Sequence, residues 1–419
     1  MILFERDNWQ EIFATIKKNK LRTTLTMFGV FWGIFMLVIM LGSGSGLRHG
    51  VLKEFEGEST NSFFVWAQTT TKPYKGMKAG RNYNFKNADT KALEQIAELE
   101  TISPESQLGD YGNANNVTRG LKIGSFQVLG EYPTVTKIEN IKLKDGRFLN
   151  QNDIKERRKV CVIGTRVNEM LFKTTEKALG DYIKINGVNF KVIGIILPQG
   201  SGQRYIETSQ KIRIPFSTFQ HAFHTGDNLT WYSLLAKKGV PASIAEEKTI
   251  AILKERHKIA PEDNQGVGHW NTEVQFNKMN GLFNGIEWLV WFVGAGTLIA
   301  GVIGVSNIML IVVKERTKEI GLKRALGATP ISVILQIMIE SLFLTSLSGI
   351  IGLLSGMGII NLINNVLPAD EGGMFQNPTV DIYVVIGALL ILVISGAFAG
   401  LIPARKAVAI SPVEALRYD

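Results

Sequence analysis

The sequence predicts an α-helical membrane protein with four transmembrane helices plus a large mixed α/β extracytoplasmic domain inserted between helices 1 and 2. Three observations predict this fold class. The 419-residue chain is 45% hydrophobic yet carries 46 Lys and Arg and 37 Asp and Glu, so its apolar residues must be segregated. Four uncharged runs each exceed the length of about 18 residues that crosses a bilayer. Roughly 240 residues of ordinary mixed composition separate the first run from the second, enough for one large or two small domains.

The uncharged runs define the expected spans. Their charge-free cores extend over residues 23–47, 288–313, 341–369 and 382–404. We therefore predict transmembrane helices at residues 23–47, 286–313, 330–368 and 381–404. The first run follows a basic flank, as a signal peptide does, but it is longer than a signal core of about 7–15 residues, so we interpret it as an uncleaved anchor.

Clusters of Lys and Arg beside the spans predict the orientation. By the positive-inside rule, the clusters before span one, after span two and after span four lie in the cytoplasm. They comprise Lys17, Lys18, Lys20, Arg22, Lys314, Arg316, Lys318, Lys323, Arg324, Arg405, Lys406 and Arg417. Residues 48–285 and the short loop 369–380 are then outside, and 405–419 form a cytoplasmic tail. We attribute the net charge of +9 mostly to this topology rather than to nucleic-acid binding.

Residues 1–22 are predicted to form a cytoplasmic interfacial amphipathic helix. Trp9, Ile12, Phe13 and Ile16 fall at helical spacing and make one apolar stripe. Two locations suit this stripe, the inner headgroup layer of the membrane or the surface of a protein partner.

The outer domain is predicted to be mixed α and β. Apolar and β-branched runs predict strands at residues 62–68, 125–131, 159–164, 181–187, 189–196 and 231–237. Asn186-Gly187 predicts a type I′ hairpin turn, and the lone Cys161 is expected in a buried strand. Helices are predicted at residues 88–99, 165–172 and 242–257, and the segments 73–87 and 198–207 look least ordered. We expect two subdomains.

No catalytic constellation is recognisable. The sequence lacks Gly-x-Ser-x-Gly, His-Glu-x-x-His and any Cys pair, and His221 and His224 have no evident third metal ligand. It also lacks a Gly-Lys dipeptide, which excludes the phosphate-binding loop GxxxxGK[ST]. We therefore expect a non-catalytic chain with no metal and no directly bound cofactor.

The charged segment KERTKEIGLKRALGAT, residues 314–329, lies between spans two and three. Glu319 precedes Lys323 by four residues, Gly327 is a natural helix stop, and Thr329-Pro330 supplies a cap and first-turn proline for the next helix. One face of the predicted helix is shared by Leu322, Ala325, Leu326 and Thr329. Such a cytoplasmic helix either docks on a soluble partner and carries force into the spans, or is a solvated connector.

Small residues mark expected contacts between spans. Gly352-x-x-x-Gly356 and Gly396-x-x-x-Gly400 are patterns typical of tightly packed or dimerising helices, with lipid-facing flexibility as the alternative. The spans offer almost no polar path, and Glu340 is expected near the inner surface.

Four stretches of the sequence resemble one family. They are KERTKEIGLKRALGAT, NKLRTTLTMFGVFWGI (19–34), the outer-domain segment 145–196 and the C-terminal IPARKAVAISPVEALRYD (402–419). The resemblance is to the FtsX-like permease family, specifically to the MacB type of ABC transporter membrane subunit. It implies four spans per subunit and a dimer, either a homodimer or a heterodimer with a related permease.

The resemblance also implies that the segment 314–329 is a coupling helix beneath which an ABC ATPase binds. The implied coupling residues are Glu315, Arg316, Glu319, Ile320, Gly321, Arg324, Ala325, Gly327 and Ala328. The ATPase, which uses ATP and Mg²⁺, is expected as a separate partner chain because only about twenty residues precede span one. Family members of this type transmit ATP-driven motion to the outer domain.

By resemblance, the membrane is the bacterial inner membrane and the outer domain is a periplasmic core domain. Its porter-like parts are expected near residues 50–135 and 226–280, with an inserted subdomain near 136–225. Three functions stay open. The first is efflux of drugs, peptides or toxins with a periplasmic adaptor and an outer-membrane channel. The others are lipoprotein extraction, as in the LolC/LolE branch, and FtsX-like activation of cell-wall hydrolases.

Overall fold

The structure is a computed structural model. It describes residues 20–55, 57–109, 114–173, 175–199, 202–366 and 375–409. The apolar stripe predicted for residues 1–22 lies outside the described residues, as does the tail from residue 410 onward. The chain divides into two compact units, with boundaries between residues 49 and 50 and between residues 281 and 282. We call the unit of long apolar helices the helical unit and the other the α/β unit.

The helices and strands are numbered along the chain. The helices are α1 (Lys20–Leu52), α2 (Asn87–Leu93), α3 (Val135–Ile138), α4 (Gln151–Lys155), α5 (Thr165–Leu171), α6 (Gly202–Gln210), α7 (Phe216–Phe223), α8 (Ala242–Arg256), α9 (Thr272–Glu315), α10 (Thr317–Ala325), α11 (Pro330–Val366) and α12 (Ile382–Ala409). The strands are β1 (Ser62–Ala67), β2 (Phe85–Lys86), β3 (Leu99–Gln107), β4 (Asn115–Arg119), β5 (Lys122–Glu131), β6 (Lys142–Gly146), β7 (Val160–Gly164), β8 (Tyr182–Ile185), β9 (Val188–Leu197), β10 (Lys211–Pro215), β11 (Asn228–Leu229), β12 (Trp231–Ala236) and β13 (Val267–Asn271).

Among the residues that the structure describes, four helices, α1, α9, α11 and α12, are long and apolar enough to cross a membrane. Their exposed side chains are mostly large and apolar, as lipid contact requires. Helix α9 has 44 residues and is about 66 Å long, roughly twice the thickness of a hydrocarbon core. It therefore continues well beyond the expected span at 286–313, running without a break from the end of β13.

Six strands of the α/β unit close into a barrel. The ring runs β10, β7, β9, β8, β4, β5 and back to β10, and only the β7–β9 and β5–β10 pairs are parallel. Alternate residues point inward, and the interior is packed with apolar side chains rather than open. These include Phe126, Val128, Cys161, Ile163, Phe190, Val192, Ile212 and Ile214.

The sheet continues from β5 into an open part ordered β3, β12, β1 and β13, all antiparallel. Its core lies on the face that α2 and α8 cover, where Phe63, Tyr232 and Leu234 pack with Leu93 and Leu253. Strand β6 pairs with β9 outside the barrel ring.

All six predicted strands are confirmed to within a few residues, but two other local predictions are wrong. The hairpin β8–β9 turns on Asn186 and Gly187, both with positive φ. The segment 198–207, predicted to be poorly ordered, contributes the first turns of helix α6. The helix predicted at 88–99 ends at Leu93, because the chain must extend again to begin β3 at Leu99.

The apolar core of the barrel contains residues from both sides of the subdomain boundary that was expected near residue 136. Val117, Phe126 and Val128 precede that boundary but lie inside the barrel with the strands of the 136–225 segment. The ring includes β4 and β5, which precede residue 136. The strands of the 136–225 segment therefore do not close the barrel alone.

The net positive charge is concentrated in the same segment. Residues 136–225 contain sixteen Lys and Arg but eight Asp and Glu, which accounts for nearly all of the chain's +9. Lys142, Lys144, Lys184 and Lys191 are exposed there. The attribution of +9 mostly to membrane topology is therefore wrong, because acidic residues elsewhere balance the basic clusters beside the spans.

A buried charge cluster joins the barrel to the open sheet. The Arg213 guanidinium donates to both Glu131 oxygens, at 2.8 and 3.0 Å, and to Glu139 at 2.6 Å. Burial, reinforced by Glu131 and Glu139, raises the pKa of the neighbouring Glu105 carboxyl well above its usual range. Ser233 donates a hydrogen bond to that carboxyl. Arg213 therefore neutralises Glu131, the last residue of β5, and Glu139, which follows α3.

A second cluster fixes α2 against α8. Asp89 accepts a hydrogen bond from Arg256 Nε at 2.6 Å and from the Lys86 backbone N–H at 2.8 Å, and His257 Nε2 lies 2.7 Å away. Burial raises the pKa of Asp89, but the hydrogen bonds from His257 and Arg256 outweigh it and bring the pKa to about 2.

We expect this carboxylate to make stability depend on acid pH. Because its folded pKa lies below the ordinary value, its contribution is complete above about pH 4 and is lost as the pH falls toward 2. At pH 6, Asp89→Asn should lower the midpoint temperature of thermal unfolding in detergent below that of the native chain. At pH 2.5 the difference between the two midpoints should be smaller. An equal difference in midpoint at both pH values would contradict the lowered pKa of Asp89.

Candidate functional site

The segment between α9 and α11 contains a separate short helix, α10. Arg316 alone interrupts the helical run between Glu315, the last residue of α9, and Thr317. The Thr317 hydroxyl donates to the carbonyls of Val313 at 3.1 Å and Lys314 at 2.8 Å, which holds the break close to α9. The separate helix within the predicted 314–329 segment is thus nine residues long, and Lys314 and Glu315 belong to α9.

The end of α10 is set by Gly327. Its φ of +103° is a conformation that favours glycine, and no atom lies within 4 Å of where a Cβ would stand, so conformation rather than space requires it. Gly327 N–H donates to Arg324 O and Ala328 N–H to Lys323 O, the two bonds of a Schellman motif. Thr329 Oγ1 then accepts from Ser332 N–H at 3.3 Å and caps α11.

The two faces of α10 differ in burial. Thr317 and Gly321 are buried, Ile320 packs on the helical core, and Arg324 donates to the Val408 carbonyl of α12 at 2.8 Å. The opposite face presents Leu322, 53% exposed, and Leu326, 80% exposed. We call this surface, Leu322 with Ala325 and Leu326, the α10 apolar face.

The sequence-predicted coupling residues divide between these faces. Exposed residues are Glu315, Glu319, Ala325 and Gly327. Buried or half-buried residues are Arg316, Ile320, Gly321, Arg324 and Ala328. The exposed ones lie at the surface, whereas Ile320 and Arg324 attach α10 to the helical unit.

A charge pair lies behind α10. Arg316 Nη1 lies 3.5 Å from Glu340 Oε2 of α11, and Arg316 Nε lies 3.4 Å from Glu319 Oε2. A cavity of about 30 Å³ adjoins the pair, with Gln336, Ile337 and Lys323 among its lining residues. The sequence placed Glu340 near the end of span three but did not identify its partner.

The four glycines of the predicted packing motifs lie at helix contacts within one chain. A Cβ on Gly352 would stand 2.6 Å from the Phe31 carbonyl oxygen, and one on Gly356 would stand 2.8 Å from Val38 Cγ1, both on α1. Gly396 and Gly400 face α11 instead. A Cβ on Gly400 would lie 2.9 Å from Ser341 Cβ, and Ser341 Oγ donates to the Gly396 carbonyl at 2.9 Å.

A further close contact, between α1 and α9, was missed from the sequence. A Cβ on Gly301 would stand 3.3 Å from Val30 Cγ2 and 3.4 Å from the Gly29 carbonyl carbon. Gly29-x-x-x-Gly33 has the same small-residue spacing as the predicted motifs, so the rule applied to spans three and four would have found it in span one.

We expect Gly352→Val to destabilise the helical unit by about 1–3 kcal/mol, because the added atoms meet backbone that cannot rotate away. The matched control is Gly358→Val on the same helix, since Gly358 is exposed and has no atom within 4 Å of its Cβ position. Thermal unfolding in detergent measures both. Equal midpoints for the two variants would contradict the α1–α11 contact.

Among the described residues, no group of three or more His, Cys, Asp or Glu could hold a metal ion. Cys161 is buried in β7, and burial raises the pKa of its thiol. The α10 segment is therefore the candidate site, on the exposure of Leu322 and Leu326.

Comparisons with known proteins identify the family. The model described as MacB-like periplasmic core domain matches residues 23–252, and the FtsX-like permease C-terminal model matches residues 291–412. The macrolide export ATP-binding/permease protein MacB of Bdellovibrio bacteriovorus is 28% identical over 410 residues, covering 97% of this chain and 61% of the relative. The pyoverdine export ATP-binding/permease protein PvdT of Pseudomonas syringae pv. syringae is 27% identical over 422 residues, covering 97% and 60%.

The chain thus spans about three fifths of the length of these curated relatives. A crystal structure of the periplasmic region of MacB from Actinobacillus actinomycetemcomitans is also similar, with 18% identity and a TM-score of 0.43 over 55% of this chain and 97% of that one. The chain belongs to the family of MacB-like periplasmic core domain proteins and carries an FtsX-like permease C-terminal domain.

Proposed function

We propose that this chain is the membrane (permease) subunit of an ABC exporter and that it couples ATP hydrolysis to motion of its α/β unit. Two of the similar relatives are named as export ATP-binding/permease proteins, which supports this class. The chain itself supplies no ATPase motif, so the hydrolysis belongs to an ABC ATPase that uses ATP and Mg²⁺.

The proposed topology places the α/β unit in the periplasm and both termini in the cytoplasm, with α1, α9, α11 and α12 crossing the inner membrane. The Lys and Arg clusters beside the helices support this orientation. It puts α10 on the cytoplasmic side, where an ATPase acts.

The observation that carries the proposal is the α10 apolar face. Leu322 is 53% exposed and Leu326 is 80% exposed. The neighbouring exposed side chains of α10 include the charged residues Lys318, Glu319 and Lys323. An apolar centre with a charged rim is typical of a surface that a protein partner covers. We propose that the ATPase docks here.

Motion at α10 has an unbroken route toward the periplasm. Helix α9 begins directly after β13 and ends one residue before α10, so a single helix joins the α/β unit to the docking segment. The close glycine contacts of α11 with α1 and α12 favour transmission by packed helices over passage of cargo between them. This is mechanotransmission, and the cargo stays in the periplasm.

We further propose that two copies of the chain form a dimer and that the cargo is a drug, peptide or toxin. Efflux of that cargo would need a periplasmic adaptor and an outer-membrane channel. The export functions in the names of the relatives support this class over lipoprotein extraction or cell-wall signalling.

The test is purification of the tagged protein from its native membrane in mild detergent, followed by mass spectrometry. We expect an ABC ATPase and a periplasmic adaptor among the proteins recovered. Recovery of a cell-wall hydrolase or a lipoprotein carrier without an adaptor would contradict the efflux function, and absence of any ABC ATPase would contradict the proposal as a whole.

A further inference from the structure

The carboxylate of Glu340 occupies an unusual position for a charge. It lies ten residues into α11, a helix whose other described residues are uncharged, and the residue is only 4% exposed. A buried carboxylate in such a helix is costly unless it has a partner. Arg316 is an ionic partner at 3.5 Å, and the two side chains are 23% and 6% exposed. The pair is therefore mostly sheltered from solvent.

Arg316 also has a special place in the chain. Its backbone is the single-residue connection between α9 and α10. Its guanidinium lies 3.5 Å from the Glu340 carboxylate on α11. The residue thus connects three helices at one point. A break in helical geometry at that point allows α10 to change its angle to α9 unless something else holds it.

The two ends of α10 are held by different means. Its C-terminal end is joined to α11 by the short Gly327–Thr329 turn and to α12 by the Arg324 bond to Val408. At its N-terminal end, the Arg316–Glu340 pair links it to α11. Without that pair, the N-terminal end would stay bonded to α9 through the Thr317 hydroxyl but would not be tied to α11, so pressure on the α10 apolar face would tilt the helix about the Gly327 turn. With both ends held, the same pressure moves α11.

We infer that Arg316 and Glu340 form a latch that makes α10 and the adjoining end of α11 move as one body. This inference rests on the proposed function, because the latch matters only if a partner pushes on α10. Glu340 is a positioning residue in this mechanism. Since it is buried behind α10, it does not contact the ATPase.

The first test measures the distance between α10 and α11 in the purified chain. Spin labels replace Lys318 and Leu354, both exposed, in a Cys161→Ala background, and pulsed EPR gives the distance distribution. We expect one narrow distribution for the native pair and a broadened, shifted one for Glu340→Gln and for Arg316→Gln. The distance distribution of the double variant should be no broader than that of the broader single variant, because the two residues act as a pair.

Lys314→Gln is the matched control, since it removes an exposed charge two residues from Arg316 and should leave the distribution unchanged. If Glu340→Gln fails to fold, Arg316→Gln carries the test because its side chain is partly exposed. A distribution for either variant that superimposes on the native one would overturn the latch.

The second test uses the protein with its copurified ATPase and separates the latch from the docking surface. Glu340→Gln should copurify with as much of the ATPase subunit as the native chain does. In the native complex, ATP and vanadate should shift the distance between spin labels that replace Leu354 and Leu121, and Glu340→Gln should lose this shift. Loss of the ATPase itself would mean that Glu340 supports docking, which overturns the latch. Failure to recover any ATPase with the native chain contradicts the proposed function alone, because the first test stands without it.

Discussion

We expect that replacing Leu322 and Leu326 together by glutamate will abolish copurification of the ABC ATPase. Both side chains are mostly exposed in the chain itself, so the change leaves the fold intact. In the complex, the partner would bury the new carboxylates, and burying charges that are not fully paired costs about 3 kcal/mol or more, which is over 100-fold in affinity. Quantitative mass spectrometry of the purified complex measures the loss.

The matched control is Leu121→Glu. Leu121 is fully exposed in the β4–β5 turn of the α/β unit, so this variant removes an equally exposed leucine far along the chain from α10. We expect native ATPase recovery from it. If the α10 double variant also recovers the ATPase at the native level, the docking surface is wrongly assigned.

Arg213→Met should destabilise the α/β unit more than any other single change considered. It leaves Glu131, whose side chain is 1% exposed, and Glu139 beside the buried Glu105 without the guanidinium that binds them. Breaking a buried pair by removing one partner costs about 3–5 kcal/mol. The expected result is a lower thermal midpoint and rapid proteolysis near β10, measured on the full chain in detergent.

A neutral variant separates the charge from the packing. Arg213→Met combined with Glu131→Met and Glu139→Gln removes the stranded carboxylates, and replacement of a buried ion pair by neutral residues is often tolerated. We therefore expect it to recover most of the lost stability. A triple variant as unstable as Arg213→Met would show that the guanidinium stabilises the junction by packing or hydrogen bonding rather than by charge.

Local signals explain what could be predicted from the sequence. The α10 segment was found because Gly327, Thr329 and Pro330 determine helix ends through their own backbone chemistry, and the structure contains both the Schellman motif and the Thr329 cap. The β8–β9 hairpin was found for the same reason, since Asn186-Gly187 fixes its turn. These features depend on residues only a few positions apart.

Contacts between distant residues explain what was missed. The barrel needs the parallel pairs β7–β9 and β5–β10, and the second of these joins strands about eighty residues apart, which no local pattern encodes. Arg213 and Glu340 likewise looked like isolated charges because their partners, Glu131 and Arg316, lie 82 and 24 residues away. Helix α6 was missed because its Gly- and Ser-rich start suggested a loop.

In the proposed mechanism, ATP-driven motion at α10 reaches the α/β unit. The most direct measurement is pulsed EPR on the purified complex with its ATPase, using labels that replace Leu121 in the α/β unit and Leu354 on α11 in a Cys161→Ala background. We expect the distance distribution to shift between the nucleotide-free state and the state trapped with ATP and vanadate. Identical distributions in the two states, in a complex that hydrolyses ATP, would contradict it.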